Sequence, residues 1–155
     1  MRRKDREITD RIRMEAILKE APVCRVALAD GGEPYVVPVC FGYADDTLWF
    51  HSAREGKKTD IIAGNPRCCI EVDRCEGPIR NENPCKWEIR YRSVICTGMA
   101  SIVNDPAEKR RGLACIMAHY GGGEHSFTEE ELERVCVVKI EIGQMTGKEY
   151  DPDQS

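Results

Sequence analysis

The stretch VCRVALADGGEPYVVPVCFGYADDTLWFH, residues 23–51, decides the fold class. Val23–Ala29 is an apolar run of strand length, Asp30-Gly31-Gly32-Glu33-Pro34 is a turn signal, and Tyr35–Tyr43 reads as the returning strand of a hairpin. Pro38 falls inside that strand, where it lacks the N–H that a ladder needs. It therefore belongs at an edge, at a bulge, or where something other than a strand faces the backbone. Ala44-Asp45-Asp46 turns the chain again, and Thr47–His51 makes a third strand. Three strands joined by such short turns predict an antiparallel meander.

Upstream, Ile8–Glu20 carries Ile8, Ile12, Ala16 and Lys19 on one helical row, with Ile17 and Leu18 beside it. This is an amphipathic helix that Thr9 or Asp10 caps and Pro22 stops. Downstream, a short helix ends near Ala63, with Gly64 as its C-cap and Asn65-Pro66 blocking continuation. Arg67–Asp73 is a fourth strand, Arg74–Lys86 a polar loop, and Trp87–Val103 a long strand bent at Gly98. Asp105-Pro106 starts a helix that runs to about Tyr120, with Ala107, Leu113, Ala114 and Met117 packed inward. Gly121-Gly122-Gly123 ends it, Glu129–Glu133 is a helical turn, and Arg134–Ile142 is the last strand. Residues 1–7 and 149–155 are expected to fray. The result is one mainly β domain over residues 1–155: six strands, the first five antiparallel, with flanking helices. A closed or nearly closed barrel suits it because closure removes exposed edges. Periodicity alone leaves an α+β sandwich open.

A chain of 155 residues, 41% hydrophobic and 32% charged, can bury its own core without staples. The net charge of −4 argues against a nucleic-acid partner, which would need phosphates neutralised. No apolar run approaches a membrane span, and none follows the basic start Met1–Arg6 to make a signal peptide, so a cytoplasmic location is expected. Nine cysteines is an odd number, and there is no Cys-x-x-Cys spacing, so neither a metal site nor a redox pair is expected. Cys24, Cys40, Cys69, Cys96 and Cys136 lie in apolar runs and read as small buried hydrophobes, whereas Cys75 and Cys85 fall in the polar loop.

The chemically richest segment is HSAREGKK, residues 51–58, where a strand ends and a helix begins. A helix N-terminus offers unpaired N–H groups and partial positive charge, a natural anion site. Ser52 and Glu55 have capping-box spacing, and Gly56 allows a ligand to approach the backbone. Lys57 and Lys58 add two full charges, and a hydroxyl from Ser52 or Thr59 completes a phosphate cradle. The competing reading is a solvated lysine pair beside an ordinary packed or solvated His51, and the segment alone does not choose. His119 and His125 flank the glycine run and read as surface residues. On the long strand, Trp87, Ile89, Tyr91 and Ser93 share one face, read as core, and Glu88, Arg90 and Arg92 the other.

Five segments in order, PYVVPV (34–39), FHSAREGKK (50–58), NPR (65–67), YRSV (91–94) and MTGK (145–148), resemble one known pattern. It is that of the nitroimidazole-resistance branch of the pyridoxamine 5'-phosphate oxidase-like split-barrel flavoproteins, and it runs from about Asp5 to Glu149. The resemblance implies a six-stranded antiparallel split barrel that forms a homodimer with FMN in the grooves between subunits. It implies that the backbone of Val37, Pro38 and Val39 faces the flavin ring. His51, Ser52 and Lys58, with Lys57 assisting, would flank the cofactor, a lysine pairing with its phosphate, and Ser93 would reach in from the other subunit. His51 would lie near the reactive centre. The expected function is an FMN-dependent, nitroreductase-like oxidoreductase acting on a small molecule. The alternative is a non-catalytic flavin- or haem-binding module on the same barrel, with His51 or His119 as a haem ligand. Cys40 and the loop around Cys75 and Cys85 depart from the pattern, and Thr146-Gly147-Lys148 carries no role that the residues alone disclose.

Overall fold

A computed structural model describes residues 3–152. In chain order the elements are β1 (Glu7–Ile8), α1 (Arg11–Glu20), β2 (Cys24–Asp30), β3 (Glu33–Val39), β4 (Gly42–Ala44), β5 (Thr47–Ser52) and α2 (Lys57–Gly64). There follow β6 (Arg67–Ile79), β7 (Glu88–Val103), α3 (Pro106–His119), α4 (Glu129–Arg134) and β8 (Cys136–Tyr150). Every strand pairing is antiparallel, in the order β3-β2-β6-β7-β8-β5-β4, with β1 added on β8. The sheet has eight strands rather than the expected six; the additions are the short β1 and β4.

The expected meander is corrected by this order. The hairpins β2–β3 and β4–β5 form, but Tyr35–Tyr43 is not one strand: it breaks at Cys40 and Phe41. β3 and β4 then lie at opposite ends of the hydrogen-bonded path, joined by only those two residues. Two residues span at most about 7 Å, so the sheet must curl until its edges nearly meet. The mainly β architecture is thus a barrel with a seam, a split barrel. At the seam the Phe41 amide donates to the Tyr120 hydroxyl (3.1 Å), which in turn donates to the Pro22 carbonyl (2.7 Å). Pro38 stands on an edge strand paired only with β2, where its missing N–H costs no ladder bond.

Apolar residues fill two regions. Val26, Leu28, Phe41, Leu48, Phe50, Ile70, Val72, Val94 and Ile140 fill the barrel interior, which α1 plugs with Met14, Ile17 and Leu18 and α2 with Ile61 and Ile62. A second cluster joins Trp49, Val103 and Val137 on the sheet to Leu113 and Ile116 of α3 and Leu132 of α4.

Several local expectations change. α1 starts at Arg11 with Asp10 as its cap, and its inward row is Met14, Ile17 and Leu18; Ile12 is 78% exposed and Ile8 belongs to β1. On α3 the inward residues are Gly112, Leu113 and Ile116, whereas Ala107, Ala114 and Met117 face outward. The expected loop from Arg74 is strand up to Ile79, with a bulge between Cys75 and Gly77, because β7 offers it a continuous partner. β8 likewise runs on past Ile142, and strand pairing reaches both described ends: Glu7 pairs with Lys148, and Glu149 with Arg92. Residues 1–2 and 153–155 lie outside the described residues. Gly147 explains part of the C-terminal motif. A Cβ there would stand 2.7 Å from the Met14 side chain and 2.9 Å from Ile8, so only glycine lets α1 and β1 close on β8. Among the described residues no helix is long and apolar enough to cross a membrane.

Candidate functional site

The strand-to-helix junction forms where the sequence puts it. β5 ends at Ser52, residues 53–56 turn, and α2 begins at Lys57 with Gly56 as its N-cap. The Ser52–Glu55 capping box does not form: no side chain caps α2, and Gly56 stands at φ 142°, a region that glycine enters without strain. Thr59 is buried, and its hydroxyl donates to the Gly56 carbonyl at 2.7 Å. Of the two hydroxyls considered, Thr59 holds the loop and only Ser52 remains for a ligand. No side chain caps the first-turn amides of α2.

Lys57 lies 5.1 Å from the ring centroid of Tyr35 on β3, and Lys58 lies 5.4 Å from that of Phe50 on β5. Neither ammonium has a carboxylate partner among the described residues, in a protein whose other basic groups form many ion pairs. The rings hold two uncompensated cations over apolar surface beside open helix amides, a geometry that attracts an anion. His51 projects outward from β5 opposite Val137, and Ser52 is half-buried opposite Cys136. Val37 is half-buried, Pro38 exposed and Val39 buried on edge strand β3. Edge strand, β5 end and α2 start thus converge through the Tyr35–Lys57 contact.

Ser93 is not part of that corner. It pairs with Asp73 and Lys148, whereas His51 aligns through Val137 with Val103, ten residues farther along β7. At about 3.3 Å per residue that is roughly 30 Å of strand. One chain does not bring Ser93 to the lysines. The long face of β7 expected as core is not core: Trp87 is 49% and Ile89 51% exposed, and Ile95 and Met99 are also exposed. Opposite them, Arg92 binds Glu76 and Arg90 binds Asp151, so these arginines are structural partners of carboxylates.

His119 is not a free surface group. Its Nε2 bonds the Ala21 carbonyl (2.8 Å), and its ring packs 4.4 Å from that of Phe41. Cys40, expected inside, is exposed because the strand stops before it. Cys24 and Cys96 are buried as expected, and burial pushes both thiols up to about 12. The sequence reading missed an open groove of 620 Å³ between the β2–β3 turn and α2, lined by Asp30, Gly31, Lys57, Asp60, Ile61, Gly64 and Asn65. Its only sequence signal, Asp30-Gly31, reads as an ordinary turn.

Comparison with known proteins follows the same outline. The family model described as pyridoxamine 5'-phosphate oxidase matches residues 10–149. The crystal structure of a candidate 5-nitroimidazole antibiotic resistance protein from Bacteroides thetaiotaomicron is similar, at 37% identity and a TM-score of 0.81. The match covers 92% of this chain and 85% of that one. A flavocytochrome from Azotobacter vinelandii (21% identity, TM-score 0.86, 97% and 72% covered) shares the fold. So does an FAD- and haem-binding protein from Mycobacterium smegmatis (23%, 0.84, 96% and 78%). Among curated proteins nothing matches significantly.

Proposed function

This chain belongs to the pyridoxamine 5'-phosphate oxidase family, and from that premise we propose that it is an FMN-binding flavoprotein with oxidoreductase activity, working as a homodimer. The observation that carries the reading is the pair of lysines at the start of α2, held beside edge strand β3 and the end of β5 without a carboxylate partner. Lys57, Lys58 and the first-turn amides of α2 hold the cofactor phosphate. The unpaired edge formed by Val37, Pro38 and Val39 of β3 would face the ring, and Pro38 leaves that edge with no strand to recruit. Ser52 supplies a hydroxyl. His51 stands at the mouth of the corner, where it can donate a proton to a bound acceptor. A bound flavin supplies the electron transfer; the protein supplies orientation, charge and a slot for the substrate.

Two features support the dimer. Ser93 lies too far along β7 to serve its own chain's corner, and the exposed apolar stripe Ile89, Ile95 and Met99 on β7 suits a two-fold contact. The compartment assigned by this reading is a reducing cytoplasm, where nine free thiols persist. The similarity to the 5-nitroimidazole resistance protein makes a nitroaromatic compound the substrate class to try first. The test is an absorbance scan of the purified protein with titration of added FMN. Flavin bands, or saturable quenching of FMN fluorescence, are expected. A colourless protein that leaves FMN fluorescence unchanged overturns the reading.

A further inference from the structure

We propose that the exposed surface where the β3–β4 break meets the end of α3 is the substrate wall of the cofactor site, and that it selects uncharged aromatic compounds over anionic ones. Val23, Cys40, Met117 and Tyr120 form this wall. The proposal rests on the reading above, in which Lys57 and Lys58 hold the flavin phosphate and the edge of β3 faces the ring.

Position comes from the strand. Lys57 meets β3 at Tyr35, which marks the phosphate end. Val39 lies four residues farther along, roughly 13 Å of strand, so the ring end falls where β3 stops. The next residue, Cys40, is exposed. Cys24 pairs with Val39, which sets Val23 beside Cys40. Tyr120 closes the group from α3. Its hydroxyl accepts from the Phe41 amide (3.1 Å) and donates to the Pro22 carbonyl (2.7 Å), the chain neighbours of Cys40 and Val23. Met117, three residues earlier, is next to Tyr120 on the helix surface. Val23 is 38%, Met117 40% and Tyr120 46% exposed, so the wall is open surface and not core.

Two hydrogen bonds on one hydroxyl fix the Tyr120 ring, and His119 braces it at 4.9 Å between centroids. The exposed part of that ring offers a rigid π surface to a flat molecule. Met117 adds an adaptable thioether beside it. Charge decides the class of molecule. Residues 21–24, 34–44 and 112–123, which build the wall and the strand edge, contain no Asp, Glu, Lys or Arg in a chain that is 32% charged. His119 is tied to the Ala21 carbonyl. A carboxylate or phosphate entering here would lose water and meet no cation, whereas an uncharged aromatic ring loses little. The two lysines of α2 are taken by the cofactor phosphate.

The probes are 4-nitrobenzamide and 4-nitrobenzoate, which are close in shape and differ in charge. Each is titrated into protein saturated with FMN, and the shift of the flavin absorption bands is followed. Wild type is expected to bind the amide roughly tenfold or more tightly than the benzoate, the scale of one charge left without a partner at a partly open site. Met117→Lys and Val23→Lys each place a cation on open surface at opposite sides of the wall, and a shift of the preference toward the benzoate is expected in either variant. Equal affinity for the two probes in wild type, binding of neither, or a preference unchanged in both lysine variants overturns the wall while the flavin reading stands. If FMN itself does not bind, both fall.

Discussion

Lys57 and Lys58 would each be ordinary surface residues were a glutamate within reach, and elsewhere on this chain one often is. Here each ammonium faces an aromatic ring. Replacing both lysines by alanine should weaken FMN binding by about 2–4 kcal/mol, the scale of losing charge-assisted contacts to phosphate. Fluorescence titration reads that loss, and an unchanged melting temperature would show that the lysines serve a ligand rather than the fold. The thiols give a second residue-scale prediction. Cys40, Cys75 and Cys85 are exposed, whereas burial pushes Cys24 and Cys96 up to about 12 and Cys68 up to about 11. A thiol whose pKa is raised is neutral at pH 8 and a poor nucleophile. A colorimetric thiol reagent at pH 8 should therefore label Cys40, Cys75 and Cys85 quickly, and Cys24, Cys68 and Cys96 only after unfolding. Rapid native labelling of Cys24 would contradict its place in the core.

At the scale of elements, the seam between β3 and β4 depends on the end of α3. One hydroxyl, that of Tyr120, serves the Phe41 amide and the Pro22 carbonyl at once. Tyr120→Phe leaves both without that partner and should cost about 1–2 kcal/mol, because the site is partly open to water. Urea denaturation would read this as a lower midpoint with an unchanged slope. The contact of α1 with β8 depends in the same way on Gly147. Gly147→Val would drive a branched side chain into Met14 and Ile8 and should destabilise by about 1–3 kcal/mol or more. Thr146-Gly147-Lys148 is in this respect a packing device: Gly147 is buried under α1, while Lys148 sits 5.6 Å from the Tyr91 ring.

At the scale of the whole molecule, the cofactor corner is incomplete in one chain if Ser93 takes part in it. Flavin binding should then rise with dimerisation. Sedimentation with and without FMN should show the dimer strengthened by the cofactor, since a ligand that binds only the assembled state shifts the equilibrium toward it. Ser93→Ala should weaken FMN in the dimer by about 1 kcal/mol, as expected for one hydrogen bond. A monomer that binds FMN with full affinity would place the whole site within a single subunit.

By itself the sequence determined the short-range features: both hairpins of residues 23–52, the Asp105 cap, the junction at residues 51–58, and the bend at Gly98. Each is fixed by neighbours a few residues apart through turn chemistry, capping or a missing donor. The five ordered segments also disclosed the family. Only the tertiary structure decided that Tyr35–Tyr43 splits into two opposite edges, that β6 and β8 run on past their apolar stretches, and that His119 is held by Ala21. It alone also turned Met14 inward and Ile12 outward, and opened the groove along α2. The physical reason is common to all of these. A strand persists where a distant strand offers it hydrogen bonds, and a helix face or a groove is defined by what packs opposite, which no local pattern encodes.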